Sequence, residues 1–137
     1  MPYAGDLGPL EAYDLLVRNP DAVLVDVRTR AEWTDVGLPD LTALGKDVVR
    51  VEWQRFPDGA QNHAFLDELA AAGVDPEQPV LFICRSGVRS AAAAETVSRA
   101  GFVRAYNVLE GFEGPIDARG HRGVGGWRAA GLPWRQS

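Results

Sequence analysis

Cys84 is the only cysteine of the 137-residue chain, and it closes the apolar run Val-Leu-Phe-Ile that starts at Val80. Arg85, Ser86, Gly87, Val88, Arg89 and Ser90 follow at once, and Ser90 opens the helix-forming stretch SAAAAETVSRA, closed by Gly101. A strand that breaks into a short polar loop and then a helix puts the cysteine at the turn. There the free amides and dipole of the helix favour an anion, so the sulfur is held ready as a thiolate nucleophile. Arg85 and Arg89 add positive charge to the same loop. Gly87 permits the positive φ that lets successive amides point inward as a nest. These residues suit a cradle for an anion covalently attached to sulfur.

A lone cysteine ending an apolar strand is by itself more often inert core packing. Two Arg, two Ser and a Gly within the next six residues do not serve packing, and they favour the nucleophile. The single cysteine excludes an internal disulfide, a thiolate metal cluster and a Cys-x-x-Cys redox pair. No G-x-x-x-x-G-K-[ST] loop is present, which removes Walker-type phosphate binding. His63 falls at a predicted helix start and His121 in a Gly-rich loop. With no further ligands nearby in sequence they read as surface residues rather than a zinc site, and no metal or organic cofactor is expected.

In open parallel sheets, ligands bind beyond the carboxyl ends of the strands, which is where Cys84 falls. The rest of the chain supplies such a sheet. Leu10, Tyr13, Leu16 and Val17 share one face of a predicted first helix between Gly8-Pro9 and Asn19-Pro20. Ala22 to Val27 is a short β-branched run without polar alternation until Asp26, as in a strand buried on both faces. Thr29 and Glu32 fit a capping box for a short helix through Trp33. Gly37 to Asp40 reads as a turn, Val48 to Trp53 as a strand and Pro57 to Gly59 as another turn. Asn62 is placed to cap a helix carrying Phe65, Leu66 and Leu69 inward, with Gly73 at its end. Val103 to Val108 predicts a further strand, and Trp127 to Ala130 a last helical piece closed by Gly131. Strands alternating with helices predict one α/β domain over residues 1–137, with a mainly parallel central sheet, helices on both faces and right-handed crossovers.

The length suits one domain with its own core, and 46% apolar and 24% charged residues lie near globular averages. The net charge of −5 speaks against non-specific binding to nucleic acid or to an anionic membrane. Residues 1–84 carry six basic against fifteen acidic side chains, residues 85–137 eight arginines against four acids. An anion site is therefore expected in the second part. No apolar run approaches the ~20 residues that span a bilayer. The opening MPYAGDLGPLEAYD lacks a basic n-region and an apolar h-region, so a cytoplasmic location is expected.

The chain resembles the single-domain rhodaneses, the sulfurtransferases, over nearly its whole length. The motifs are LVDVR with Glu32-Trp33 soon after, the Cys-led loop CRSGVRS, and the closing segment GGWRAAGLPW. The resemblance implies that Cys84 is the catalytic residue, taking a sulfane sulfur as a persulfide, and that Arg85, Ser86, Gly87, Val88 and Arg89 fold around it as the substrate-binding loop. It further implies a small anionic sulfur donor and an acceptor such as cyanide, a small thiol or a thioredoxin-like protein. Arg85 favours thiosulfate over 3-mercaptopyruvate, whose branch of the family usually has Gly there, and Arg85 or Arg89 would orient the donor's oxyanions. Asp26 and Arg28 are expected to make structural polar bonds near the strand end. The family's Gly-His-Ile-Pro-Gly-Ala signature is represented only by Gly37-Leu38-Pro39, without the His, a departure that bears on substrate rather than on the nucleophile.

Three alternatives belong to the same fold. Tyrosine and dual-specificity phosphatases use Cys-x5-Arg, whereas Arg89 stands at Cys-x4-Arg with Ser90 in the next place. A low-molecular-weight arsenate reductase needs further cysteines to resolve its intermediate. Catalytically silent rhodanese-like interaction modules typically lose the cysteine that is retained here. The segment Gly114 to Gly125 stands where single-domain members pass almost directly to the closing Trp helix. Because it leaves the carboxyl end of a strand it is expected on the same face as the Cys84 loop, where Arg119, His121 and Arg122 give it the charge to attract an anionic donor; a plain surface excursion with solvated charges is the alternative.

Overall fold

The computed structural model describes residues 3–55 and 57–136. Its centre is β5 (Val80–Ile83), whose four residues are all buried. Both faces of this strand are covered, which is why it reads as an unbroken apolar run. Around it lie β1 (Gly5–Leu7), β2 (Val23–Asp26), β4 (Val49–Arg50) and β6 (Ala105–Val108) in a five-stranded sheet of order β1-β6-β5-β2-β4. Every pairing in it is parallel.

Alternation along β5 divides the core in two. Val80, Phe82 and Cys84 join Val25, Val27, Phe65 and Leu69 on the side of α3 (Phe65–Ala71) and α4 (Val88–Arg99), with Ala93, Ala94 and Val97 from the latter. Leu81 and Ile83 face Ala12 and Leu16 of α1 (Pro9–Arg18), together with Phe112 and with Trp127 of α5 (Gly126–Ala129). The Trp127 indole is fully buried, meets Tyr13 edge-on and donates to the Pro133 carbonyl at 2.7 Å.

Several expectations change in detail. β1 has no counterpart in the sequence reading, because three residues, the first a glycine, give no period to read; β6 holds it in register, Asp6 beside Asn107. On α1 the buried positions are Ala12 and Leu16, one turn apart, while Leu10 and Val17 lie at the surface. Leu66 of α3 is likewise exposed. Asn62 does not cap that helix, whose N-cap is Ala64; its carbonyl accepts from the Ala64 N–H and its amide donates to the Glu52 carbonyl, so it ties the preceding loop together. The predicted strand at Val48 to Trp53 is paired only over Val49–Arg50, though the Val51 and Trp53 amides still reach Asp26 and Val27 carbonyls. Leu38–Pro39, read as a turn, is a strand (β3) antiparallel to Trp134–Arg135 (β7). α2 (Arg30–Asp35) has its capping box, the Thr29 hydroxyl accepting from Glu32 N–H and the Glu32 carboxylate from Thr29 N–H.

Candidate active site

α4 begins at Val88, two residues earlier than the apolar stretch suggests, so the link from β5 to α4 contains only Cys84 to Gly87. Gly87 makes that turn possible with φ of 109°. Its N–H donates to the Cys84 sulfur at 3.1 Å, and the Ser90 hydroxyl lies 3.2 Å from the same atom. Cys84 itself is 1% exposed. The first intrahelical bond of α4 runs from Ala91 N–H to the Gly87 carbonyl, which leaves the amides of Val88, Arg89 and Ser90 without a helical acceptor.

The two arginines of the loop part company. Arg89 closes a two-pronged ion pair on Glu32, at 2.7 and 3.0 Å, and so fastens the start of α4 to α2. Burial works against both charges, but the hydrogen bonds from Arg89 and Thr29 outweigh it and hold the Glu32 carboxyl below its ordinary value. Arg89 is raised in turn: burial opposes its charge, and the Glu32 bond and charge prevail, with Cys84 and Asp26 adding to them. Arg85 has only a 3.4 Å contact with Glu113 and is about half exposed. Of the two, Arg85 is the cation left to meet a ligand. Ser86 is half-buried and Val88 projects outward, 77% exposed.

The Glu32–Arg89 pair gives a pH signature. A carboxyl lowered in the folded state contributes stability above its unfolded value, near 4.5, and loses it as pH falls through the folded value. Glu32→Gln is therefore expected to lower the urea midpoint at pH 7 and to flatten its decline below about pH 4.5. Parallel midpoint curves for the two proteins would contradict the pairing.

Behind the loop, the turn after β6 acts as a wall. Phe112 N–H donates to the Cys84 carbonyl at 2.8 Å and Glu113 N–H to the Arg85 carbonyl at 3.1 Å. Gly111, with φ of 60°, lies so close that a Cβ would come within 2.5 Å of the Cys84 carbonyl oxygen. Glu110 takes a left-handed conformation without being glycine, φ 65°, and its carboxylate accepts from the Gly126 N–H at the start of α5. Further in, Arg28 and Asp26 are fully buried and paired at 2.7 Å, with Arg28 also bonded to the Gly37 carbonyl and stacked 4.4 Å from the Phe112 ring. Their role here is the structural one expected from sequence.

The 114–125 segment is rooted at this wall, since it follows Glu113 directly and its Gly123 N–H donates back to the Glu113 carbonyl. Asp117 accepts from the backbone N–H groups of Arg119 and His121, and Arg122 donates to the Gly114 carbonyl. Arg122 is thus engaged at the neck of the loop, while Arg119 and His121 are exposed. His63 is exposed as well. Among the described residues, no group of three or more His, Cys, Asp or Glu side chains is placed to hold a metal ion, and no helix is long and apolar enough to cross a membrane.

Two features of the site were not singled out in the sequence. Ser90 ends the CRSGVRS motif, yet nothing local says that its hydroxyl turns back to the sulfur. Asn107 and Asp6, which continue from Ser90, come from strands far away in the chain.

A crystal structure of Rv0390 from M. tuberculosis is 58% identical and superposes with a TM-score of 0.91, covering 98% of this chain and 99% of that one. The solution structure of a polysulfide-sulfur transferase homodimer from Wolinella succinogenes is 32% identical with a TM-score of 0.65, covering 95% and 77%. The thiosulfate sulfurtransferase GlpE of Glaesserella parasuis is 35% identical over 115 residues, 80% of this chain and 83% of that protein. The family model described as the STR4 middle domain matches residues 7–137, taking in β5, the Cys84 loop, its supporting wall and the closing Trp segment. The chain belongs to the rhodanese-like family.

Proposed function

We propose that the protein is a sulfurtransferase that carries a sulfane sulfur as a persulfide on Cys84, taking it from thiosulfate or a similar donor and passing it to a thiol or cyanide. The observation that carries this reading is the Cys84 sulfur at the carboxyl end of a buried parallel strand, receiving the Gly87 N–H inside a Cys-x4-Arg loop. The names of two relatives, a thiosulfate sulfurtransferase and a polysulfide-sulfur transferase, support the reaction class.

In the first step the Cys84 thiolate attacks the outer sulfur of thiosulfate. The new S–S bond forms as the old one breaks, and its electron pair leaves with sulfite. Because Cys84 is 1% exposed, the donor's outer sulfur must enter the loop, while its oxyanions stay at the mouth where Arg85 is exposed. The free amides at the start of α4 are then the donors available to stabilise the anionic terminal sulfur. In the second step an acceptor such as a small thiol, cyanide or a thioredoxin-like protein attacks that terminal sulfur, and Cys84 leaves as thiolate. The chemistry uses no metal or organic cofactor.

Phosphatase chemistry is disfavoured twice. The loop is one residue shorter than Cys-x5-Arg, and the fork of Arg89 that would clasp a phosphoryl group is occupied by Glu32. Steady-state thiosulfate:cyanide kinetics should give parallel double-reciprocal lines, as sulfite departs before the acceptor attacks, and aryl phosphates should be hydrolysed at background rate. Intersecting lines would contradict a free persulfide enzyme; robust phosphate hydrolysis would promote the phosphatase reading.

A further inference from the structure

A line of hydrogen bonds runs from the nucleophile to the edge of the sheet. The Cys84 sulfur is 3.2 Å from the Ser90 oxygen, which is 2.6 Å from Asn107 Oδ1; Asn107 Nδ2 is 3.0 Å from Asp6 Oδ1, and the Tyr3 hydroxyl donates to that same oxygen at 2.7 Å. Ser90 is fully buried and Asn107 is 3% exposed, so neither polar group has been left where solvent would satisfy it. The direction of each bond is fixed from the far end. A carboxylate only accepts, so Asn107 must turn its NH2 toward Asp6 and its carbonyl oxygen toward Ser90. Ser90 has one hydrogen, which that carbonyl takes. The Ser90 lone pairs then face the sulfur, and the partner they suit is a thiol S–H.

We infer that Ser90 is a positioning residue with two settings, its hydroxyl donating to Asn107 while Cys84 is a thiol or persulfide and swinging onto the sulfur when Cys84 is a free thiolate. The amide of Asn107 does not take up a proton from a serine, so this is a switch of one hydrogen bond; the thiol proton leaves to solvent. In the thiolate setting the sulfur receives two donors, Gly87 N–H and Ser90 O–H. In the persulfide the Cys84 sulfur is neutral and bonded on both sides, and the hydroxyl returns to Asn107. Asn107 therefore restrains the thiolate and Ser90 assists it. That restraint acts on the nucleophile of the first step and on the leaving group of the second, a consequence that rests on the sulfur-transfer reading above.

Apart from the half-exposed Arg85, the charges around the sulfur are held by partners of their own. Arg89 is paired with Glu32, Arg28 with Asp26, and Arg85 contacts Glu113; Glu110 is turned to the Gly126 amide, and Asp6 lies beyond Asn107. The Tyr3 phenol is raised from its ordinary value, by its hydrogen bond to Asp6 first and then by burial and the Asp6 charge, and so remains a donor at the end of the line.

The test reads the pH dependence of Cys84 alkylation by iodoacetamide, which requires the thiolate and no sulfur transfer. Ser90→Ala should move the midpoint upward and slow alkylation at pH 7 roughly tenfold. Asn107→Leu, close in shape, frees the hydroxyl for the sulfur and should move the midpoint downward. In the Ser90→Ala background, Asn107→Leu should do nothing further, since the effect of Asn107 passes through Ser90. Far-ultraviolet circular dichroism establishes that each variant is folded, and Cys84→Ser gives the unreactive baseline. An unchanged midpoint in Ser90→Ala, an upward or absent shift in Asn107→Leu, or the same Asn107→Leu shift with and without Ser90 would each overturn the assignment. If the alkylation pattern holds but thiosulfate places no sulfur on Cys84, the transfer reading falls and the Ser90 assignment stands.

Discussion

Replacing Cys84 by serine is expected to abolish thiosulfate:cyanide sulfur transfer, a loss of about a thousandfold or more, with a thermal midpoint close to that of the unchanged protein. The side chain is buried, and it meets the Gly87 N–H and the Ser90 hydroxyl, both of which a serine oxygen can use. The fold therefore survives the exchange. A hydroxyl is far less acidic than a thiol and forms no persulfide, so neither step has a carrier. Appreciable transfer by the variant, measured as thiocyanate formed per minute, would place the nucleophile elsewhere.

The second large effect belongs to a residue with no functional group. Gly111→Ala introduces a Cβ that would come within 2.5 Å of the Cys84 carbonyl oxygen and of the Arg85 carbonyl carbon, both backbone atoms of the nucleophile's own loop. Neither can yield without moving the sulfur or breaking the Phe112–Cys84 hydrogen bond. Displacement of a nucleophile by about 1 Å costs on the order of a hundredfold in rate, and the left-handed backbone adds roughly 1–2 kcal/mol of strain for alanine. We expect kcat/KM for sulfur transfer to fall about a hundredfold, and the urea midpoint to fall with it. Gly45→Ala is the matched control: its φ of 70° is similarly left-handed, and a Cβ there meets nothing within 4 Å. That variant should lose about 1 kcal/mol and keep its activity. Equal behaviour of the two variants would show that backbone strain alone, and not pressure on the Cys84 loop, governs Gly111.

How much of this could be read from residues alone follows from the range of the interactions. β5 and its loop were legible because four apolar residues covered on both faces give way at once to Cys-Arg-Ser-Gly, a change written within a few positions. The capping box of α2 is equally local, Thr29 and Glu32 being three residues apart. The second role of Glu32 is not local, since its partner Arg89 lies 57 positions on. Without that partner in view, Arg85 and Arg89 looked equivalent. In the fold one is a clamp and the other is exposed. The Ser90 line was hidden for the same reason, its bonds spanning 17 positions to Asn107 and then 101 to Asp6 across the β1-β6 pair. β1 was itself missed, so no sequence pattern could have delivered Asp6 to the site. On the surface, Leu10, Val17 and Leu66 show the limit of helical period: it identifies apolar residues that share a side, while the sheet decides which of them are covered.

The central claim is that Cys84 carries sulfur covalently between donor and acceptor. The most direct measurement is the intact mass of the protein after incubation with thiosulfate and removal of small molecules, followed by peptide mapping. The account predicts a gain of one sulfur atom, located on the peptide containing Cys84, absent in the Cys84→Ser variant and discharged on addition of cyanide. A mass unchanged by thiosulfate and by polysulfide alike, in protein whose Cys84 is reduced and alkylates freely, would contradict it.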